Sequence, residues 1–299
     1  MTVMLGQDKT IGFIGLGNMG GPMTRNLLKA GFEVIGYDLQ ASLCEQAAAT
    51  GLSIKSCVAD VAAAADIIIT MLPTGAHVVS VWADVAKSAR PGALLIDCST
   101  ISVEAARASH KLAAEFGLQS LDAPVSGGVE GAMAGTLTFM VGGHQAARER
   151  AQAVLSAMGR RVVACGGDGA GQAAKICNNM LLGISMVGTS EAFALGKKLG
   201  LTHQALFDVL STSSGQCYAL TTHCPVPGPV PNSAANRAYK AGFASRLMLK
   251  DLELSQVAAS STQTATPLGK AARDIFLEME ARGDGEKDYS AVIQLIEAQ

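Results

Sequence analysis

The stretch "TIGFIGLGNMGGPMTRNLLKAGFEVIGYD", residues 10 to 38, constrains the fold more than any other part of the chain. It opens with "TIGFI", a short apolar run suited to a strand buried on both faces. Gly15, Gly17 and Gly20 follow, then a helical pattern from Asn18 to Ala30 that Gly31 stops. "FEVIGYD" reads as the next strand. In this context the three glycines have separate tasks. The first lets the chain turn sharply, the second lets the backbone approach a pyrophosphate, and the third lets helix and strand pack closely. Leu16, Asn18 and Met19 complete the turn, and the helix start offers free N–H groups to phosphates. Asp38 ends the second strand, about 20 residues on, where a ribose 2′-hydroxyl needs an acceptor. Capping the next helix is the plainer use of that carboxylate. Asp38 would repel a 2′-phosphate, and "LQASLCEQ", from Leu39 onward, has no Lys or Arg to neutralise one. NAD is therefore expected rather than NADP.

The alternation continues. "ADIIITML" (65–72) and "GALLIDCS" (92–99) are buried-strand runs, and "VEAARASHKLAAEFG" (103–117) is a helix with a glycine stop. "GLQSLDAP", "TLTFMVGG" and "RRVVACGG" predict three further strands, with a helix over 145–158 between the last two. Such alternation argues for a parallel sheet covered on both faces. After Gly171 no convincing strand recurs. A long helical pattern covers 170–198, and others lie near 203–212, 245–260, 267–282 and 289–297. The boundary falls in "CGGDGAG" (165–171), giving domains 1–168 and 169–299. The loop 223–243 holds four of the nine prolines. It is a stiff extended connection, either a spacer between helices or a preformed wall against a site.

Composition narrows the partners. With 23 Lys plus Arg against 25 Asp plus Glu, nothing favours nucleic acid or an anionic membrane. No apolar run approaches the ~20 residues of a membrane span, and "MTVMLGQDKT" lacks the features of a leader. The seven cysteines have no CxxC spacing and the five histidines are scattered, so neither a disulfide framework nor a metal site is expected. Free thiols in a cytoplasmic protein fit this usage.

Several candidates for chemistry stand out. Leu72, Pro73 and Thr100 follow strands, where ligands of open parallel sheets lie, although ordinary strand-to-helix turns look the same. Ser126, Gly127 and Gly128 form either an anion-binding nest with a hydroxyl beside it or a plain glycine-rich turn. In "GAGQAAKICNNMLLG" the only charge between Asp168 and Glu191 is Lys175. Asn179 lies four residues on and Gln172 three before, on neighbouring positions of a helix. A buried Lys175 would have its pKa lowered toward the range of an acid–base catalyst, whereas a snorkelling one would not. Lys250 and Asp251 are either a solvated pair or a cleft contact, and Tyr218 and Phe243 either pocket walls or core.

Four motifs in order, "GFIGLGNMGGPMTRNLLKAG", "DAPVSGGVEGAMAGTL", "GAGQAAKICNNMLLG" and "GFASRLMLKDLELS", resemble those of the β-hydroxyacid dehydrogenases across nearly the whole chain. Asp38 and the proline loop look most like the branch that oxidises 3-hydroxyisobutyrate in valine breakdown. The resemblance implies an α/β fold, a Rossmann-type nucleotide-binding domain followed by an all-helical domain joined by one long helix. It implies Lys175 as catalytic acid–base with Asn179 beside it, and Ser126, Gly127 and Gly128 as the loop that binds the substrate carboxylate. Gly15, Leu16, Gly17, Asn18, Met19, Gly20, Asp38, Leu39, Leu72, Pro73, Thr100, Phe243 and Lys250 would contact the cofactor. His77 stands where relatives often carry Asn, which weakens its match. A homodimer or homotetramer is also implied. The same motifs occur in tartronate semialdehyde and succinic semialdehyde reductases, and many of the latter carry a basic residue after the second strand that is missing here. 6-Phosphogluconate dehydrogenase has a much longer helical domain and phosphate-binding basic residues. A cofactor-sensing module without turnover is the alternative of another class.

Overall fold

The computed structural model describes residues 9–298. Residues 1–8, where the leader reading mostly falls, lie outside the described residues, as does residue 299. The chain divides between Lys175 and Ile176 into two compact units.

The first unit alternates strand and helix. Its elements are β1 (Thr10–Ile14), α1 (Gly20–Lys29), β2 (Glu33–Tyr37), α2 (Ala41–Ala48), β3 (Ser53–Ile54), α3 (Val58–Ala64), β4 (Ile67–Thr70) and α4 (Gly75–Ser88). Then come β5 (Leu94–Asp97), α5 (Val103–Glu115), β6 (Gln119–Asp122), β7 (Val125–Ser126), α6 (Gly128–Ala134), β8 (Leu137–Gly143), α7 (Gln145–Met158) and β9 (Gly159–Gly166). The expected strands are present, and α2, α3, α4 and α6 add helices that the pattern had not singled out. In α2 and α3 the apolar positions are largely alanine, which gives little periodic contrast.

The strands form one sheet in the order β3-β2-β1-β4-β5-β6-β8-β7, with β9 also on β8. From β3 to β6 every pairing is parallel. Strand β1 lies between β2 and β4, so the order reverses there and leaves a crevice at the carboxyl ends. Strict period-two alternation covers both faces. Ile67, Ile69, Leu94 and Ile96 join the core on one face, and Ile68 and Leu95 join that on the other. A wholly parallel sheet does not result, because β8 is antiparallel to β6 and β7. The connection from Ser126 to Leu137 holds only the short α6, and a parallel return needs a full crossover.

Helix α8 (Ala170–Lys198) begins in the first unit and continues into the second. The second unit adds α9 (His203–Thr212), α10 (Tyr218–Thr221), α11 (Ser245–Ser261), α12 (Pro267–Ala281) and α13 (Val292–Glu297). Its core gathers Met186, Met248, Leu252, Phe276, Tyr289 and Val292. The helix expected over 289–297 is split, with a 3-10 turn at Tyr289–Ala291 before α13. Among the described residues the unit has no strand, only isolated bridges between Lys240 and Lys287 and between Ala244 and Asp288. The proline loop is pinned from within. Tyr239 Oη donates to the Pro225 carbonyl at 2.8 Å, and Asn236 accepts from Gly228 N at 2.9 Å while donating to the Val230 carbonyl at 2.8 Å. Among the described residues no helix is long and apolar enough to cross a membrane.

Candidate active site

The glycine turn after β1 is shaped by close approach. Gly15 has φ +96°, and a side chain there would run into the Met71 carbonyl. A Cβ on Gly20 would clash with the Gly15 carbonyl oxygen and sit 3.0 Å from Phe13. A Cβ on Gly17 would meet no atom of the described residues within 4 Å beyond its chain neighbours, so the backbone there is open to a ligand. Met19 stands at the N-cap of α1, where no side chain supplies a capping bond. A dinucleotide fits this turn, since the unfilled space is at Gly17 and the helix start offers donors to its pyrophosphate. Asp38 is tied to the same loop. Its Oδ2 accepts from Leu16 N at 2.7 Å and its Oδ1 from Gln40 N at 2.8 Å. An ionised carboxylate has about four acceptor sites, so each oxygen keeps one for a ribose hydroxyl. Leu39 beside it is 89% exposed.

The carboxyl ends of β4 and β5 are joined by a buried polar network that sequence reasoning had missed. Thr70 Oγ1 and Ser99 Oγ donate to Asp97 Oδ1 at 2.8 and 2.6 Å. Trp82 Nε1 donates to Thr70 Oγ1 at 3.1 Å, and Leu72 N to Ser99 Oγ at 2.8 Å. Burial pushes the Asp97 carboxyl up to about 6, against the hydrogen bonds from Ser99 and Thr70 that lower it. The network thus sets the backbone at Leu72, with Pro73 exposed after it and Thr100 half-buried after Ser99. His77 lies exposed in the first turn of α4, where its N–H donates to Thr74 Oγ1 at 3.3 Å.

Ser126 ends β7 opposite Thr138. Gly127 and Gly128 follow at φ +131° and +60°, a backbone that side chains disfavour.

Lys175 lies in the second turn of α8 and is 7% exposed. Gln172 and Asp122, neither proposed from sequence for a role of its own, are buried before it, and Asp122 accepts from Gly169 N and Gln172 N at 2.9 and 2.8 Å. In the second unit Asn179 is buried, donates to Asp251 Oδ2 and accepts from Asn178 Nδ2 at 2.9 Å. The solvated reading of Asp251 is corrected: the residue is 4% exposed, because its side of α11 carries the core residues Met248 and Leu252. Lys250 Nζ is 3.9 Å from Asp251 Oδ1. Phe243 packs edge-on to Tyr289 with ring centroids 5.7 Å apart, while Tyr218 is half exposed. The signal available for Asp97 and Asp122 was an acid as the last residue of a strand, "LLID" and "QSLD". Besides the nearer Ser99 and His110, their partners lie 47 to 50 residues away for Asp122 and 27 for Asp97, beyond any local pattern.

Residues 10–167 match the family model described as the NAD binding domain of 6-phosphogluconate dehydrogenase. Residues 169–296 match the one described as NAD-binding of NADP-dependent 3-hydroxyisobutyrate dehydrogenase. A probable 3-hydroxyisobutyrate dehydrogenase of Mycobacterium tuberculosis is 49% identical, over 97% of this chain and 98% of its own. The NAD-dependent L-serine dehydrogenase of Pseudomonas aeruginosa is 45% identical over 97% and 98%. The solved structure of the Mycobacterium tuberculosis 3-hydroxyisobutyrate dehydrogenase with L-serine superposes with a TM-score of 0.94 at 49% identity, covering 96% of this chain and 99% of that one. The glycine turn, the buried lysine and these matches over both units lead to one conclusion: the chain belongs to the β-hydroxyacid dehydrogenase family, with 3-hydroxyisobutyrate dehydrogenases among its relatives, and is an NAD-dependent oxidoreductase acting on a CH–OH group.

Proposed function

We propose that the chain oxidises 3-hydroxyisobutyrate to methylmalonate semialdehyde, with Lys175 as general acid–base. The observation that carries the reading is a lysine 7% exposed on α8, downstream of a rigidly capped first turn. NAD, when bound, supplies the hydride acceptor. Gly15, Leu16, Gly17, Asn18, Met19 and Gly20 hold its pyrophosphate, Asp38 accepts from its ribose with Leu39 alongside, and Leu72, Pro73, His77 and Thr100 flank the rest. Phe243 and Lys250 take the cofactor contacts implied by family likeness. The N–H groups of Gly127 and Gly128 and the Ser126 hydroxyl hold the substrate carboxylate, which aims the hydroxyl-bearing carbon. Lys175 Nζ, neutral at that moment, accepts the hydroxyl proton as the C–H bond gives up its hydride; in reduction the lysinium returns it. Asn179, oriented by Asp251 and Asn178, steadies the hydroxyl or the amine.

A second reading is favoured by the L-serine dehydrogenase at 45% identity. L-Serine has the same carboxylate and the same primary hydroxyl, with an ammonium group in place of the methyl. Reduction of tartronate or succinic semialdehyde is the remaining alternative. The protein is proposed to work in the cytoplasm, in valine breakdown, as a homodimer or homotetramer.

The test is a panel of 3-hydroxyisobutyrate, L-serine, D-glycerate and 4-hydroxybutyrate with NAD and with NADP, read at the reduced-nicotinamide band. The highest kcat/KM should be for 3-hydroxyisobutyrate with NAD, and a preference for any other acid would overturn the substrate while keeping the family. Lys175→Ala should lower kcat by about 100- to 10,000-fold, the usual span of a positioned acid–base group, with NAD still bound. Near-normal turnover in that variant would remove Lys175 from the mechanism.

A further inference from the structure

The start of α8 is held by more than the usual single side-chain cap. A helix leaves four N–H groups without partners, and one side-chain oxygen at the N-cap ordinarily satisfies one or two. Here both oxygens of a buried carboxylate from another element are used. Asp122 Oδ1 takes Gly169 N at 2.9 Å and His110 Nε2 lies 2.9 Å from the same oxygen, while Oδ2 takes Gln172 N at 2.8 Å. His110 is itself buried, and its Nδ1 lies 2.7 Å from Ser120 Oγ. The approach is tight enough to require glycine. A Cβ on Gly171 would meet the Asp122 carbonyl oxygen at 2.6 Å and collide with that of Met140.

Gln172 adds a second attachment on a different strand end. It is 0% exposed. Its Nε2 donates to the Ser99 carbonyl at 2.7 Å, and its Oε1 accepts from Ile101 N at 3.2 Å. One attachment leaves a helix free to swivel, and two on separate strands stop it. Through Ser99 the second attachment reaches Asp97 and the Leu72 backbone, so one hydrogen-bonded web joins the first turn of α8 to the ends of β4, β5 and β6.

We propose that Gln172, backed by Asp122, is a positioning residue that sets the rotation of α8 and thereby where Lys175 presents its amine. The proposal rests on Lys175 being the acid–base group. Lys175 is three residues, nearly one turn, beyond Gln172. A swivel of about 10° moves an atom at the rim of a helix, ~5–6 Å from its axis, by about 1 Å. A misplacement of that size costs on the order of 100-fold in rate.

The experiment is a double-mutant cycle with 3-hydroxyisobutyrate and NAD, using Gln172→Met, Lys175→Ala and the pair, with the thermal midpoint and NAD Kd measured for each. Gln172→Met keeps the shape and removes both polar bonds. It should lower kcat by about 30- to 100-fold while NAD Kd stays within about threefold. In the Lys175→Ala background it should have almost no further effect, because the group it positions is gone. Equal losses in both backgrounds would overturn the proposal, since a general loosening does not depend on which residue stands at 175. Unchanged kcat in Gln172→Met, with Lys175→Ala inactive, would overturn it and leave the acid–base reading intact. Normal turnover in Lys175→Ala would overturn both. If Gln172→Met fails to fold, Gln172→Glu, which keeps an acceptor for Ile101 N and opposes the Ser99 carbonyl, takes its place in the same cycle.

Discussion

Asp97→Asn should change how the stability of the first unit depends on pH. The Asp97 carboxyl is buried, with Oδ1 saturated by Thr70 and Ser99 and Oδ2 without a hydrogen bond among the described residues. Burial raises its pKa from 3.8 to about 6. The folded protein therefore holds this proton more tightly than the unfolded chain does. Stability contributed by the group is present in full below pH ~3.8 and is lost as pH rises through ~6. A shift of about two units corresponds to ~3 kcal/mol in total, of which about 2 kcal/mol falls between pH ~4.5 and ~7. Asparagine keeps the shape and cannot titrate. Its amide buries N–H groups in place of Oδ2, a cost of about 1–3 kcal/mol that is the same at every pH. The slope of the difference, rather than its offset, is thus the measure. Trp82 is the only tryptophan, is buried, and donates to Thr70 in the same network. Its fluorescence during urea unfolding reports this unit alone, which avoids treating two units as one transition. The unfolding free energy of the wild type minus that of Asp97→Asn should fall by about 2 kcal/mol from pH ~4.5 to ~7. Parallel pH profiles would refute the assignment of a raised pKa to this carboxyl.

Removal of Asp38 by Asp38→Ala should raise the Kd for NAD at least about tenfold and lower the thermal midpoint slightly, because Leu16 N and Gln40 N lose their acceptor along with the ribose; titration by reduced-cofactor fluorescence measures the first and a melting curve the second. Asp251→Leu should leave NAD affinity nearly unchanged and lower kcat by about tenfold, since Asn179 loses the carboxylate that orients its amide, and steady-state kinetics with saturating NAD would show it.

Much of the first unit is legible in the residue order. The run "TIGFI", the three glycines and Asp38 lie within one crossover unit, and each has a local steric or electrostatic reason to be what it is. The structure puts the open backbone at Gly17 and the close contacts at Gly15 and Gly20. Helix α8 was equally legible, because its pattern runs for 29 residues without a proline. The antiparallel return of β8 was not, since its residues alternate in the same way whichever direction the neighbour runs. Nor was the split of 289–297, where Asp288 accepts from Ser290 N and tightens the chain into a 3-10 turn.

Residue order by itself determined that this chain makes a strand–turn–helix nucleotide site, a long helix in which Lys175 is the only charge between Asp168 and Glu191, and helices beyond it. Those signals are short-range: period two, period 3.6, and glycine where a side chain would collide. Tertiary structure decided which polar groups are buried and what satisfies them. Asp122 meets Gln172 across 50 residues and Gln172 meets Ser99 across 73, and Asp251 turns out to be enclosed rather than solvated. A buried polar group must find a partner wherever the fold brings one, and no local pattern in the chain records which one that will be.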